Sequence, residues 1–376
     1  MQLRTLLSAA TAVLLGAPGV SPAVDDQEAR VSFEYFADSD HVHVYSTGGN
    51  YGIDFDPETS LSMTWNHELV VVPGIAAPAG SAEALDAISG ASRPIGATSD
   101  PYADFTKTRD QLDATAAWRW FSAGYYVSNE TDYFAQQIHG GVRRSLRDDN
   151  TILQGTASYG WDAIEPSEDE DTNTAADHKK SLHAAIVVTQ VLTPVTLIQG
   201  GAEVTRVEGL QHNPYRTVYV AGAYEAELHP DTRLRQDIYL KVNQSLPNRA
   251  SAKLDYKFYS DDWGITSHTL GGKLNQYVGS DVVVRYRYRY YLQTAADFWR
   301  EEYTEPGGVD GYRTVDYRMG DFSAHLFGAK LSWDLSENSL TSRWFRGTSF
   351  ELQYERYFNS NNFSANIFET GLAFAF

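Results

Sequence analysis

Apolar and polar residues alternate with period two along most of the chain from about Val31 onward, and almost nothing repeats at helical spacing. Leu61, Met63, Trp65 and Leu69 alternate with Ser62, Thr64, Asn66 and Glu68, and Leu112, Ala114, Ala116 and Trp118 alternate with Asp113, Thr115 and Arg119. The pattern returns at Leu234, Ile238, Leu240 and Val242 against Arg235, Asp237, Tyr239 and Lys241. It returns again at Leu254, Tyr256 and Phe258 against Lys253, Asp255 and Lys257, and at Phe350, Leu352, Tyr354 and Phe358 against Glu351, Gln353 and Glu355. Antiparallel strands of about ten residues, apolar on one face and polar on the other, account for all of these. Turn formers place about sixteen strands, starting near Val31, His41, Leu61, Thr108, Phe121, Asp132, Thr151, Lys179, Val195, Thr232, Ala250, Gly264, Asp281, Asp321, Thr348 and Phe363. Fourteen is the alternative, because the first two are weakly bounded.

The connections sort by length. Tight links such as Arg147-Asp148-Asp149-Asn150, Thr193-Pro194, Pro247-Asn248-Arg249 and Gly279-Ser280-Asp281 alternate with long polar segments: Pro73 to Phe105, Ala163 to Asp177, Glu208 to Asp231 and Ala295 to Gly320. Counted back from Phe376, all four long segments fall at one end of the strands. A β-sandwich has no reason to sort its loops this way, whereas an outer-membrane barrel does, with the long loops outside. The last strand fits the same reading. Phe368, Leu372, Phe374 and Phe376 lie on one face, with Glu369, Gly371, Ala373 and Ala375 on the other. A final strand ending on an aromatic residue resembles the signal that the barrel-assembly machinery reads. The expectation is an all-β chain forming a single antiparallel up-and-down transmembrane β-barrel.

Composition adds location. Met1-Gln2-Leu3-Arg4, an uncharged run from Leu6 to Val20 and Ser21-Pro22-Ala23 read as a signal peptide over residues 1–23, leaving a barrel domain over 24–376. No later stretch approaches the roughly twenty apolar residues of a membrane helix. Without Arg4 the net charge is about −20, which disfavours nucleic acid as a partner. Cysteine is absent, which excludes thiol catalysis and zinc–thiolate sites. The expected location is the outer membrane of a Gram-negative-type bacterium, in contact with outer-membrane lipid.

Candidate chemistry centres on Val282 to Tyr291. Arg285, Arg287 and Arg289 share one face and Tyr286, Tyr288 and Tyr290 the other. Arginine on a lipid face costs about 2–4 kcal/mol near the midplane, so the arginines belong in the lumen and the tyrosines outside. The same argument places Arg233, Arg235, Lys241, Lys253, Lys257 and Lys273 inside, offset there by Asp237 and Asp255. Glu351, Glu355 and Glu369 face inward from the closing strands, and Glu68, Asp113 and Glu203 from the first half. The lumen is therefore expected to carry a basic sector and an acidic one. The run Glu165 to Asp171 reads as a solvated loop tip or, through Glu168, Asp169, Glu170 and Asp171, a loose divalent-cation site. His41 and His43 are two apart on one putative strand, and His139 and Ser145 share a face, but neither pair forms a motif. No Gly-x-Ser-x-Gly elbow occurs. No cofactor is implied.

Four segments carry a resemblance to a known family: Leu85 to Ser92; Asn213-Pro214-Tyr215-Arg216 with His229-Pro230-Asp231-Thr232-Arg233; Leu254 to Gly264; and Arg287 to Trp299. They resemble a bacterial outer-membrane barrel family catalogued as domain of unknown function 3570. The resemblance implies a barrel and an outer-membrane location but no reaction. Members are often encoded beside flavin-transferase and thioredoxin-like proteins, which hints at an envelope redox system. It also implies that Thr217 to Leu228 is a hairpin within an external loop. The length of the Pro73 to Phe105 segment and its low charge up to Asp100 give the separate expectation that its small, flexible Ser89-Gly90-Ala91-Ser92 core folds inward as a constriction. The functional expectation is a porin-like channel or conduit with a basic lumen sector and no enzymatic activity. The alternatives are a structural or docking barrel for a periplasmic or surface redox protein, and an outer-membrane hydrolase.

Overall fold

The computed structural model describes residues 26–39, 41–72, 105–166, 177–214, 216–335 and 347–375. Eight strands make the first half of the wall: β1 (Asp26–Asp38), β2 (His43–Asp56), β3 (Thr59–Val72), β4 (Phe105–Trp118), β5 (Phe121–Asn129), β6 (Tyr133–Leu146), β7 (Thr151–Ile164) and β8 (Asp177–Thr193). The chain continues through β9 (Thr196–Gly209), a small hairpin of β10 (Thr217–Val220) and β11 (Ala223–Ala226), then β12 (Thr232–Leu246), β13 (Ala250–Asp261), β14 (Thr266–Val278) and β15 (Val282–Gln293). It ends with β16 (Phe322–Asp334), β17 (Thr348–Asn359) and β18 (Ser364–Ala375). All except β10 and β11 form one closed antiparallel barrel in which each strand pairs with its chain neighbours, β9 pairs with β12, and β1 pairs with β18. The wall therefore has sixteen strands, and β10–β11 is a separate two-stranded sheet.

Closure follows from the last pairing, in which Glu28 stands opposite Ala375 and Asp38 opposite Ala365. With no free edge, every strand can satisfy its backbone inside the wall, which is the condition for a sheet in hydrocarbon. The side chains agree. Val31, Ile138, Ile186, Ile238, Leu254, Leu270, Phe327 and Leu372 stand exposed on the outer face, and Leu254 reaches 62 %. An apolar band of that extent is the surface of a barrel that spans a membrane. At one end the connections are tight, such as 119–120 between β4 and β5 and 147–150 between β6 and β7. The segment 335–347, between β16 and β17, is a longer exception. The long segments all lie at the opposite, loop end.

Two of those segments fold together. In the β10–β11 hairpin, Ala221 and Gly222 both take positive φ, 47° and 98°, the geometry of a two-residue turn matched to strand twist. Val220 bridges in parallel to Tyr303, and Leu228 pairs antiparallel with Arg313. Val218, Val220 and Tyr303 are buried together, and Trp263, Ile265, Ala296 and Phe298 form a second buried cluster beside them. Segments 210–231 and 294–321 thus make one packed unit at the loop end.

Candidate functional site

The inner wall is built by strand parity. On β15, Tyr286 and Tyr288 are exposed outward, while Arg285, Arg287 and Arg289 occupy the other face. Register carries that face across the sheet: Lys253 stands opposite Lys273, Lys273 opposite Arg287, and Asn275 opposite Arg285. On β12, Ile238 and Leu240 are exposed, which places Arg233, Arg235, Asp237 and Lys241 inside. All nine expected basic residues therefore lie on the inner parity of four adjacent strands.

Three of the nine are paired. Arg233 meets Asp261, with Nε 2.9 Å from Oδ2, and its guanidinium lies 4.2 Å from the Trp263 ring. Lys257 Nζ is 2.9 Å from Asp237 Oδ2, and Arg287 Nη1 is 2.8 Å from Glu355 Oε1. The last pair skips a strand. Gly328 stands between the two in register, and a Cβ there would lie 2.9 Å from Glu355 Oε1, so the missing side chain lets the ions meet across β16. Arg235, Lys241, Lys253, Lys273, Arg285 and Arg289 have no carboxylate partner among the described residues; Arg285 instead donates to Asn275 Oδ1 at 2.7 Å. Asp237 and Asp255 are therefore not the only acids offsetting this sector. Asp261 and Glu355 also do so, and Asp255 sits over Gly271 without an ion pair.

Several carboxylates of the acidic sector are paired. Glu351 binds Lys330 at 2.9 Å and also Arg30, which reaches Glu369 at 3.2 Å. Glu68 pairs with Arg109, and Glu130 with Lys107 and Arg109. The sequence reading missed Arg30, Lys107, Arg109, Lys330 and Glu130, although Lys107 and Arg109 share a strand and its inward parity with Asp113, which it had placed in the lumen.

The folded loops close part of the mouth. A cavity of about 800 Å³ is lined by inward residues of β4 to β9, by Arg233 and Arg235, and by His212, Arg318 and Met319 from the loop unit. In its lining, Arg216 Nη1 lies 3.2 Å from Glu227 Oε1 and 3.0 Å from Asp316 Oδ2, with both pairs buried. Thr314 donates to Glu227, the Asn213 N–H donates to Glu227 Oε2 at 3.0 Å, and Arg318 Nη2 reaches Asp316 Oδ2 at 2.7 Å. Burial pushes the Glu227 carboxyl up, but the hydrogen bond with His229 and the Arg216 charge outweigh it and hold it at about 2. Burial likewise opposes the charge of Asp316, and Arg318, then Arg216, keep that carboxyl well below the usual range. Burial, then the neighbouring His229, push His212 down toward its neutral form. Residues quoted for the family resemblance supply Arg216 and His229, but Glu227, Thr314 and Asp316 had no pattern to mark them.

Other candidates separate. His41 sits in the β1–β2 turn at φ 64° and does not share a strand face with His43, because a left-handed residue ends the pleat. His43 begins β2 and its Nδ1 lies 2.8 Å from the Tyr35 hydroxyl. The partner of His139 is Asp113, at 2.9 Å, and not Ser145. The signal segment 1–23, Leu85 to Ser92, the acidic run Glu168 to Asp171 and Phe376 lie outside the described residues. Phe368 and Leu372 stand exposed on the outer face, Phe374 shares their parity, and Glu369 faces inward.

No curated protein matches the chain by sequence. Among solved structures, the chain is similar to OpdK of Pseudomonas aeruginosa crystallised with vanillate, at 8% identity and TM-score 0.47, covering 95% of this chain and 100% of that one. It is similar to a loop-deletion mutant of OmpT, an outer membrane protein of Vibrio cholerae, at 9% identity and TM-score 0.45, covering 94% and 99%. OccAB1 of Acinetobacter baumannii aligns at 8% identity and TM-score 0.44, covering 95% and 97%. The family model described as a protein of unknown function, DUF3570, matches residues 4–366, and the chain belongs to that family.

Proposed function

We propose that the protein is an outer-membrane channel that favours small anions, its loop end outside and its mouth narrowed by the packed unit of segments 210–231 and 294–321. The observation that carries this reading is the set of six inward cations on β12 to β15 without carboxylate partners among the described residues: Arg235, Lys241, Lys253, Lys273, Arg285 and Arg289. Desolvated or half-desolvated cations clustered on one wall attract counter-ions, and a mobile anion is the partner that the wall itself does not supply. A barrel of sixteen strands is wide enough to leave a water-filled lumen. The outward apolar band supports a membrane location, and four long segments gathered at one end support the orientation.

The test is the reversal potential of the purified barrel in planar bilayers under a salt gradient. The wild type is expected to prefer chloride over potassium. Replacing Lys253, Lys273, Arg285 and Arg289 together with Gln should move the reversal potential toward cation preference. Absence of current, or the same reversal potential in both proteins, would overturn the proposal.

A further inference from the structure

Cations are scarce on the outer face, since hydrocarbon cannot solvate them. Lys180 and Arg206 are nevertheless there. Lys180 stands opposite Trp161 and Glu208, and Arg206 opposite Leu182 and Leu234, all on the outward parity. Leu182, in the same row, is 55% exposed. Each cation lies three residues from the loop end of its strand. Glu208 accepts from Arg206 Nε at 2.7 Å. The terminal nitrogens of Arg206 and the Lys180 ammonium have no carboxylate partner among the described residues.

A groove of about 550 Å³ continues from these cations toward the turn end on the same outer face. On the outer face it is lined by Ala184, Ala202, Ile186, Val204, Ile238 and Phe258, with the polar Gln236 and Ser260 at one side. Small residues stand diagonal to each other there because Ala184 pairs with Val204 and Ile186 with Ala202. The combination is a pair of cations near the loop end of the strands above a largely apolar groove with two alanines in it.

We infer that Lys180, Arg206 and this groove form a binding site for one phosphorylated, multi-acyl lipid of the leaflet at the loop end, which in an outer membrane is the lipid A part of lipopolysaccharide. The inference rests on the membrane orientation proposed above, but not on conduction. Two cations at diagonal positions suit a phosphate oxyanion, and each makes a charge-assisted hydrogen bond. One acyl chain fills the slot that the two alanines leave. A water-soluble anion would match the cations but has no part to place in a groove facing hydrocarbon.

The test titrates bisphosphoryl lipid A into the refolded barrel in zwitterionic micelles, read by native mass spectrometry, with dephosphorylated lipid A and phosphatidylglycerol as comparison probes. Wild type should bind bisphosphoryl lipid A in preference to both. Lys180→Gln with Arg206→Gln should raise the half-saturating concentration at least about tenfold, a loss expected when two charge-assisted contacts go. Ala184→Phe, which keeps both cations and fills the slot, should also weaken binding. Arg144→Gln, which removes an outward cation at the turn end, should leave it unchanged. Heat-modifiable migration in gels confirms folding of each variant, and if the double variant does not fold, Arg206→Gln alone and Ala184→Phe decide. Equal binding of bisphosphoryl and dephosphorylated lipid A, equal binding of phosphatidylglycerol, or wild-type binding by these variants would overturn the inference, whether or not the barrel conducts.

Discussion

Glu227 shows how a single carboxylate ties the loop unit together. It accepts from the Asn213 backbone and Thr314, pairs with Arg216, and through Arg216 is joined to Asp316 on the other loop. Removing one charge from a buried pair leaves the other without compensation, a cost of about 3–5 kcal/mol. Glu227→Gln is therefore expected to loosen segments 210–231 and 294–321 while the barrel wall stays folded. Tryptic cleavage after Arg313, whose backbone pairs with Leu228, should rise severalfold in the variant; cleavage at the wild-type rate would contradict the assigned role. The pH dependence has a definite sign. Glu227 titrates at about 2 in the folded loop against an ordinary 4.5, so its contribution is complete above about pH 4.5 and is lost as pH falls toward 2. That contribution is on the order of 3 kcal/mol. Pepsin cleavage of the loop unit should therefore accelerate between about pH 4 and pH 2 in the wild type and change less in Glu227→Gln.

The strands explain why the wall was legible in the sequence and the mouth was not. Every wall strand has an apolar outer face and an inner face of largely polar side chains, so Leu234 to Val242 and Tyr286 to Tyr290 must alternate, and alternation is visible without knowing which strand lies beside which. Ion pairs need register as well. Arg287 meets Glu355 only because β15, β16 and β17 bring Gly328 between them, and no local pattern announces that alignment. The loop network has no period at all, and joins Arg216 to Asp316 across a stretch of chain that includes four wall strands. Glycine placement on β9 gives a test of the same logic. Gly200 points outward, where a Cβ would meet nothing nearer than 3.7 Å, whereas a Cβ on Gly201 would lie 2.5 Å from Tyr239 Cζ, a ring that also carries the Lys241 ammonium at 4.3 Å. Gly201→Val should lower stability by about 1–3 kcal/mol through overpacking, and Gly200→Ala should stay within about 0.5 kcal/mol. Urea midpoints of the two variants in micelles measure the difference; equal midpoints would mean that the Tyr239 cover moves aside freely.

At the scale of the whole molecule, a chain with a net charge of −19 encloses an inner wall with a cationic face. The two facts are compatible because the cations are concentrated. Among the described residues, six without carboxylate partners lie on four adjacent strands, while the acids Glu351 and Glu355 of β17, Glu369 of β18 and Glu68 of β3 are held by Arg30, Lys330, Arg109 and Arg287. Selectivity that arises from fixed charges on a wide wall acts through the solution filling the lumen and must therefore depend on screening. The screening length is about 10 Å at 0.1 M salt and about 3 Å at 1 M. At the lower concentration the field of Lys253, Lys273 and Arg289 extends well into the water beside the wall, and at the higher it is confined to the side chains. The chloride preference should accordingly be large in 0.1 M potassium chloride and fall severalfold in 1 M. Selectivity set instead by a dehydrated constriction in the loop unit, where an ion would touch Arg235 or Arg318 directly, would change little over that range. Permeability ratios measured at both concentrations, for the wild type and for the variant with Lys253, Lys273, Arg285 and Arg289 replaced by Gln, separate the two. A ratio that is large and independent of salt would remove the basic wall as the source of selectivity and place it at the mouth.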